Sequence, residues 1–138
     1  ADGALMKGPV EAKVRLVEAV RDGTAAGKIK WDKTTSDSAF VAFFPSSTVR
    51  IARGFKDPLD TGAAVSTITD RSPDYEYHLR VYNDSGVLIE DITDTALQQE
   101  AGIPNARGLL VDIFRGARSI GLGGDQVIEN LIADIGKL

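Results

Sequence analysis

Apolar and polar residues alternate most clearly over residues 75–92. Tyr75, Tyr77, Leu79 and Val81 alternate with Glu76, His78, Arg80 and Tyr82, the period of a half-buried strand. A polar cluster ending in Gly86 follows, and then Val87 to Ile92 returns as a second strand. The pattern predicts a β-hairpin with a three-residue loop, Gly86 taking the left-handed conformation of a bulged turn. Such a loop pairs Asn83 with Val87, and so sets Val81 opposite Ile89 and Arg80 opposite Glu90. A four-residue loop would set Arg80 opposite Ile89 and Leu79 opposite Glu90. The first register matches apolar with apolar and cation with anion, and is preferred. It leaves Tyr82, Leu88 and Ile92 on the face opposite Leu79, Val81 and Ile89.

The remaining elements fall around this hairpin. Pro9 opens a helix whose stripe is Val10, Val14, Val17 and Val20 or Arg21, widened by Leu16, with Asp22-Gly23 as the stop. Residues 28–33 alternate Ile29 and Trp31 with lysines and Asp32 and predict a short strand. The apolar run Ala39 to Phe44 predicts a strand buried on both faces, and Pro45-Ser46-Ser47 closes a turn onto Thr48 to Phe55. There Val49, Ile51 and Arg53 share one face, and Arg50 and Ala52 the other. Residues 56–74 are rich in Asp, Pro, Gly, Ser and Thr; they form a long loop, or hold an extra strand at Val65 to Thr69. Thr93 or Asp94 caps a short helix ending near Gly102. A second helix from Pro104-Asn105 carries Leu109, Leu110, Ile113, Phe114 and Ala117, and a last one from Asp125 carries Ile128, Leu131, Ile132 and Ile135. These two helices are predicted to pair antiparallel across the sheet. The expected fold is α+β: one domain over residues 1–138, an antiparallel meander of about five strands, and two or three helices packed on one face.

Composition narrows the function. No apolar run is long enough to span a membrane. A net charge of −4 gives no global attraction to nucleic acid or anionic lipid. Cysteine is absent, which removes thiolate ligands and cysteine nucleophiles. The N-terminal residues lack a secretory pattern, so a cytoplasmic protein is expected.

Candidate chemistry is sparse. His78 is the single histidine, which excludes a multi-histidine metal site. In the preferred register it lies beside Glu76, Arg80 and Glu90, where a carboxylate could make it an acid or base; the alternative is a solvated or interface histidine. Gly23 to Lys28 resembles a phosphate loop but is one residue short, has Ile29 in the metal-binding position, and follows a helix. Gly121-Leu122-Gly123-Gly124-Asp125 precedes a helix but follows another, which fits a helix–turn–helix connection better than an anion site. Arg107, Arg115 and Arg118 give one basic side, and Arg50, Arg53 and Lys56 another, either able to meet phosphates. Asp57, Asp60, Asp70 and Asp74 match no calcium-loop spacing. No cofactor or metal is expected.

The order of Lys30-Trp31-Asp32, the Ala39 to Phe44 strand, the hairpin through Asn83-Asp84-Ser85-Gly86 and the helices joined at Ser119 to Ile128 resembles small uncharacterised bacterial proteins carried on mobile gene cassettes. The likeness spans about residues 28–138; the 56–74 loop and the first helix depart from it. Its motifs are structural, so it implies a fold and no activity. The expectation is a small binding or interaction module that forms a homodimer. His78, Arg80, Tyr82, Leu88 and Glu90 are the candidate ligand or interface residues, with Tyr82 and Leu88 central. A small-ligand binder or enzyme using the 56–74 loop and His78 is the alternative, and nucleic-acid binding through the arginines the third.

Overall fold

The computed structural model describes residues 2–55 and 75–138, with side chains described over residues 10–54 and 75–138. The 56–74 loop, with its candidate strand and its four aspartates, lies outside the described residues. Five strands form one antiparallel sheet in chain order: β1 (Asp32–Lys33), β2 (Ala39–Phe44), β3 (Ser47–Phe55), β4 (Tyr75–Asn83) and β5 (Leu88–Thr93). The helices are α1 (Asp2–Ala25), α2 (Asp94–Ala101), α3 (Ala106–Gly121) and α4 (Gly124–Gly136). The predicted α+β meander is observed, with four helices among the described residues in place of two or three.

One face of the sheet carries the core. Phe40, Ile51, Leu79 and Ile92 form a buried row across β2 to β5, flanked by Ala42, Val49 and Tyr77. Onto it pack Leu109, Leu110, Ile113, Phe114 and Ala117, the stripe read from the sequence of α3. Phe114 meets Phe40 and Tyr77 edge-on at 5.7 and 5.6 Å. Helix α1 adds Val17 and Val20, and α2 adds Leu97. Gly116 lets α1 and α3 approach: a Cβ there would stand 2.5 Å from Thr24 Cγ2. Thr24 is itself buried, donating to Val20 O at 2.6 Å and accepting from Trp31 Nε1 at 2.9 Å.

Several expectations are corrected. Helix α1 starts ahead of Pro9 and runs past Gly23. Gly27, with φ 72°, takes the left-handed position, while Gly23 makes room for Ile29, which a Cβ would meet at 2.9 Å. The strand expected over residues 28–33 shrinks to Asp32–Lys33. Strand β2 is not buried on both faces: Phe43 and Phe44 are exposed. Helix α4 does not lie across the sheet. Its main contacts are with α3, and every residue from Asp125 onward is exposed.

The hairpin has the predicted loop and a different register. Asn83 N donates to Val87 O at 2.9 Å, and Gly86 has φ 80°. Asn83 Oδ1 accepts from Ser85 N and Val87 N, each at 2.9 Å, which locks the turn. Tyr82 then faces Leu88 as expected, but a bulge follows and Ile89 has no partner. Beyond it Val81 faces Glu90, Arg80 faces Asp91 and Leu79 faces Ile92. The physical reason is burial. An unbulged register would aim Ile92 at the helix-free face, whereas the bulge turns it into the core, worth about 2 kcal/mol for such a side chain.

Candidate interaction surfaces

The bulge decides which predicted site residues meet. His78, Arg80, Tyr82 and Leu88 all lie on the sheet face that carries none of α1, α2 and α3. Glu90 does not. It points to the helix side, where its Oε2 stands 3.7 Å from Lys13 Nζ, and Lys13 is also 3.9 Å from Glu100. The expected Arg80–Glu90 pair is therefore replaced by Arg80–Asp91, with Nε donating to Oδ2 at 3.4 Å.

Asp91 also holds His78, whose Nδ1 lies 2.9 Å from Oδ1, and His78 Nε2 stands 3.4 Å from Glu76 Oε1. Both ring nitrogens thus face carboxylates. The Glu76–His78–Asp91–Arg80 chain forms a polar ridge across β4 and β5. At one end of the ridge lies a row made of Phe43, Thr48, Tyr82 and Leu88. Phe43 is 69% and Leu88 48% exposed, while Tyr82 is half-buried. Arg50 stands directly opposite Arg80, an unfavourable pairing of like charges, and its buried Nε has no acceptor among the described residues.

The two basic sides expected from the sequence are dispersed. Arg53 lies on the face of Val49 and Ile51, as the alternation predicts, opposite to that of Arg50, and stacks between rings, its Cζ 4.4 Å from Tyr75 and 4.7 Å from Phe114. Arg118 lies over Phe114 at 5.3 Å, and Arg107 Nε donates to Asp94 Oδ2 at 3.1 Å. These guanidiniums are engaged with the protein itself. Lys56 lies outside the described residues.

Asp94, by its sequence position a possible helix cap, is a junction. The cap is Thr93, whose Oγ1 accepts from Ala96 N at 3.0 Å, and Gly102 closes α2 with φ 63°. Asp94 instead turns inward, almost fully buried, and its Oδ1 accepts from Tyr77 N at 2.8 Å. With Arg107, Thr95, Gln98 and Gln99 it borders a polar cleft of about 390 Å³. The sequence signal for it is an acid in the first turn of a helix, but nothing local indicates that it bonds residues on β4 and α3.

The apolar surface left uncovered is concentrated elsewhere. On α4, Val127, Ile128, Leu131, Ile132 and Ile135 are each between 56 and 59% exposed, and Leu138 is free. A separate apolar groove of about 360 Å³ lies between α1 and the β2–β3 turn, lined by Leu16, Ala19, Val20, Ile29, Phe44 and Val49, with Ser47 at its rim. Among the described residues no group of three or more His, Asp or Glu side chains is placed to hold a metal ion, and no helix is long and apolar enough to cross a membrane. Comparison with protein-family models, curated proteins and solved structures finds no match.

Proposed function

We propose that the chain is a small interaction module that works by self-association. The observation that carries this reading is the apolar stripe of α4, exposed along its whole length in a protein whose other amphipathic helices bury theirs. A contiguous apolar surface of this kind on a monomer marks a contact to be made. The commonest way to cover one is a two-fold contact between identical chains. The sheet face through Tyr82 and Leu88 is the second candidate surface, its exposed apolar side chains being Phe43 and Leu88. A catalytic role for His78 is less supported, since its Nδ1 is taken up by Asp91 and no cleft among those described is lined by it.

The reading is tested by light scattering or sedimentation of the unmodified chain across the micromolar range. A concentration-dependent shift from one chain to two is expected. A protein that stays monomeric at the highest concentration overturns it.

A further inference from the structure

Independently of self-association, we infer that the polar cleft between α2 and α3 binds a small polar molecule carrying one oxyanion, a carboxylate or a phosphate, which Arg107 receives. The cleft has about 390 Å³ and is lined by Asp94, Thr95, Gln98 and Gln99 of α2 and by Arg107 of α3. At roughly 30 Å³ for each water-sized group, it holds an oxyanion and a small polar body attached to it.

The reason lies in how Asp94 divides its oxygens. A guanidinium and a carboxylate commonly join through two parallel bonds. Asp94 cannot do so, because Oδ1 accepts from Tyr77 N at 2.8 Å and only Oδ2 accepts from Arg107 Nε, at 3.1 Å. The pair therefore satisfies one of the five donors of a guanidinium. Arg107 Nη2 is left buried, with no acceptor among the described residues. A buried charged donor without a partner is rare and costly, and calls for an acceptor from outside the chain. The side chain is not sealed off: 22% of it is exposed, and it lines the cleft.

The local field selects an anion. Asp94 and Arg107 cancel as formal charges. What remains is the positive end of two helices, since Asp94 and Thr95 open α2 and Arg107 stands in the first turn of α3. A helix start normally gathers acids. The first turn of α3 has none, Asn105 makes no side-chain capping bond, and a cation occupies the turn instead. An oxyanion at Arg107 relieves both the unpaired donor and the unfavourable placing of a cation at that end. The other acid of α2, Glu100, stands 3.9 Å from Lys13 and does not line the cleft. Thr95, Gln98 and Gln99 offer hydroxyl and amide groups that both donate and accept, which suits the polar remainder of such a ligand.

The test is an NMR titration of the isotope-labelled full chain with sodium phosphate and with sodium acetate, each against sodium chloride at equal ionic strength. Saturable shifts are expected at Arg107 Nε–H and at the backbone amides of Thr95 and Arg107, in the millimolar range that suits a ligand of so few atoms. Saturation by phosphate alone assigns a phosphorylated ligand, by acetate alone a carboxylate, and by both the shared oxyanion chemistry. Gln98→Glu alters an exposed residue and leaves the Asp94–Arg107 pair in place. It should weaken binding about tenfold by adding a negative charge to the cleft wall. Arg107→Met should abolish binding, with the buried Trp31 keeping its native fluorescence. Shifts that never saturate, or that chloride reproduces, would show a cleft that takes only water and overturn the site. Saturable shifts centred on Arg50 and Arg80, or a Gln98→Glu chain that binds as tightly as the unmodified one, would overturn it equally. None of these outcomes depends on whether the chain is single or paired in solution.

Discussion

Removing the Asp94 carboxylate should be among the most damaging single changes available in the described structure. In Asp94→Ala two groups lose their acceptor at once. Tyr77 N lies at the end of the β4–β5 ladder, where pairing stops at His78–Thr93, so Asp94 Oδ1 supplies the acceptor that a further strand residue would otherwise give. A buried backbone donor left unpaired costs about 1–3 kcal/mol. Arg107 loses its only hydrogen bond described for Nε, while its Nη2 is already buried without an acceptor. Breaking a buried ion pair from one side costs about 3–5 kcal/mol, because the remaining charge stays desolvated. The two penalties overlap, since Arg107 is about a fifth exposed and can shift toward water. The net expectation is therefore about 3–4 kcal/mol, a large share of a typical domain's stability.

Two companions separate the causes. Asp94→Asn keeps an oxygen for Tyr77 N and removes the charge, so it should cost about half as much as Asp94→Ala. In Arg107→Met the carboxylate keeps Tyr77 N and the N-terminus of α2 as partners, so it too should be milder. Asp94→Ala combined with Arg107→Met should then recover part of the loss, because no buried charge is left unpaired. Urea denaturation followed by the fluorescence of Trp31 gives all four values. An Asp94→Ala loss below about 1 kcal/mol would refute the reasoning. So would strict additivity of the double variant.

Thr24→Val keeps the shape of the side chain but leaves Trp31 Nε1 buried without its acceptor; a loss of about 1–3 kcal/mol is expected in the same denaturation assay, and no loss would mean that water or a shifted indole replaces the hydroxyl. His78→Ala removes ion pairs that lie on a partly solvated ridge, so thermal melting should report a change below about 1 kcal/mol. A larger drop would give the ridge a structural weight that its exposure does not suggest.

The hairpin shows how far local rules reach. The loop, the pairing of Asn83 with Val87 and the contact of Tyr82 with Leu88 follow from Gly86 and the polar residues before it, all within a few positions. Beyond them, local charge matching predicts a register with Arg80 against Glu90. What decides it is non-local: Ile92 gains more from joining Leu79 and the helices than the ion pair does from forming, and a bulge at Ile89 is the means. Asp91 then meets Arg80 at 3.4 Å, so the charge rule is obeyed with a different partner. Asp94 was hidden for a related reason. Its position at the start of a helix has a sufficient local explanation, and its bonds to Tyr77 and Arg107 exist only once β4 and α3 are in place.

Helices α3 and α4 carry the same kind of signal and end in opposite environments. The periodicity of Leu109, Leu110, Ile113, Phe114 and Ala117 predicts a face to be buried, and that face is buried against the sheet. The periodicity of Ile128, Leu131, Ile132 and Ile135 predicts the same and is left open. A hydrophobic stripe states that a face requires cover; it carries no information about whether the cover is the same chain or another. What separates the two helices is supply. The apolar rows of β2 to β5 are already filled by α1, α2 and α3, and the sheet's other face offers Arg50, His78 and Arg80 along its middle, which aliphatic side chains would have to desolvate. Once three helices have taken the apolar face, a fourth amphipathic helix has no comparable surface within the described fold. The stripe of α4 is thus without cover among the described residues, and the self-association proposed above would supply it.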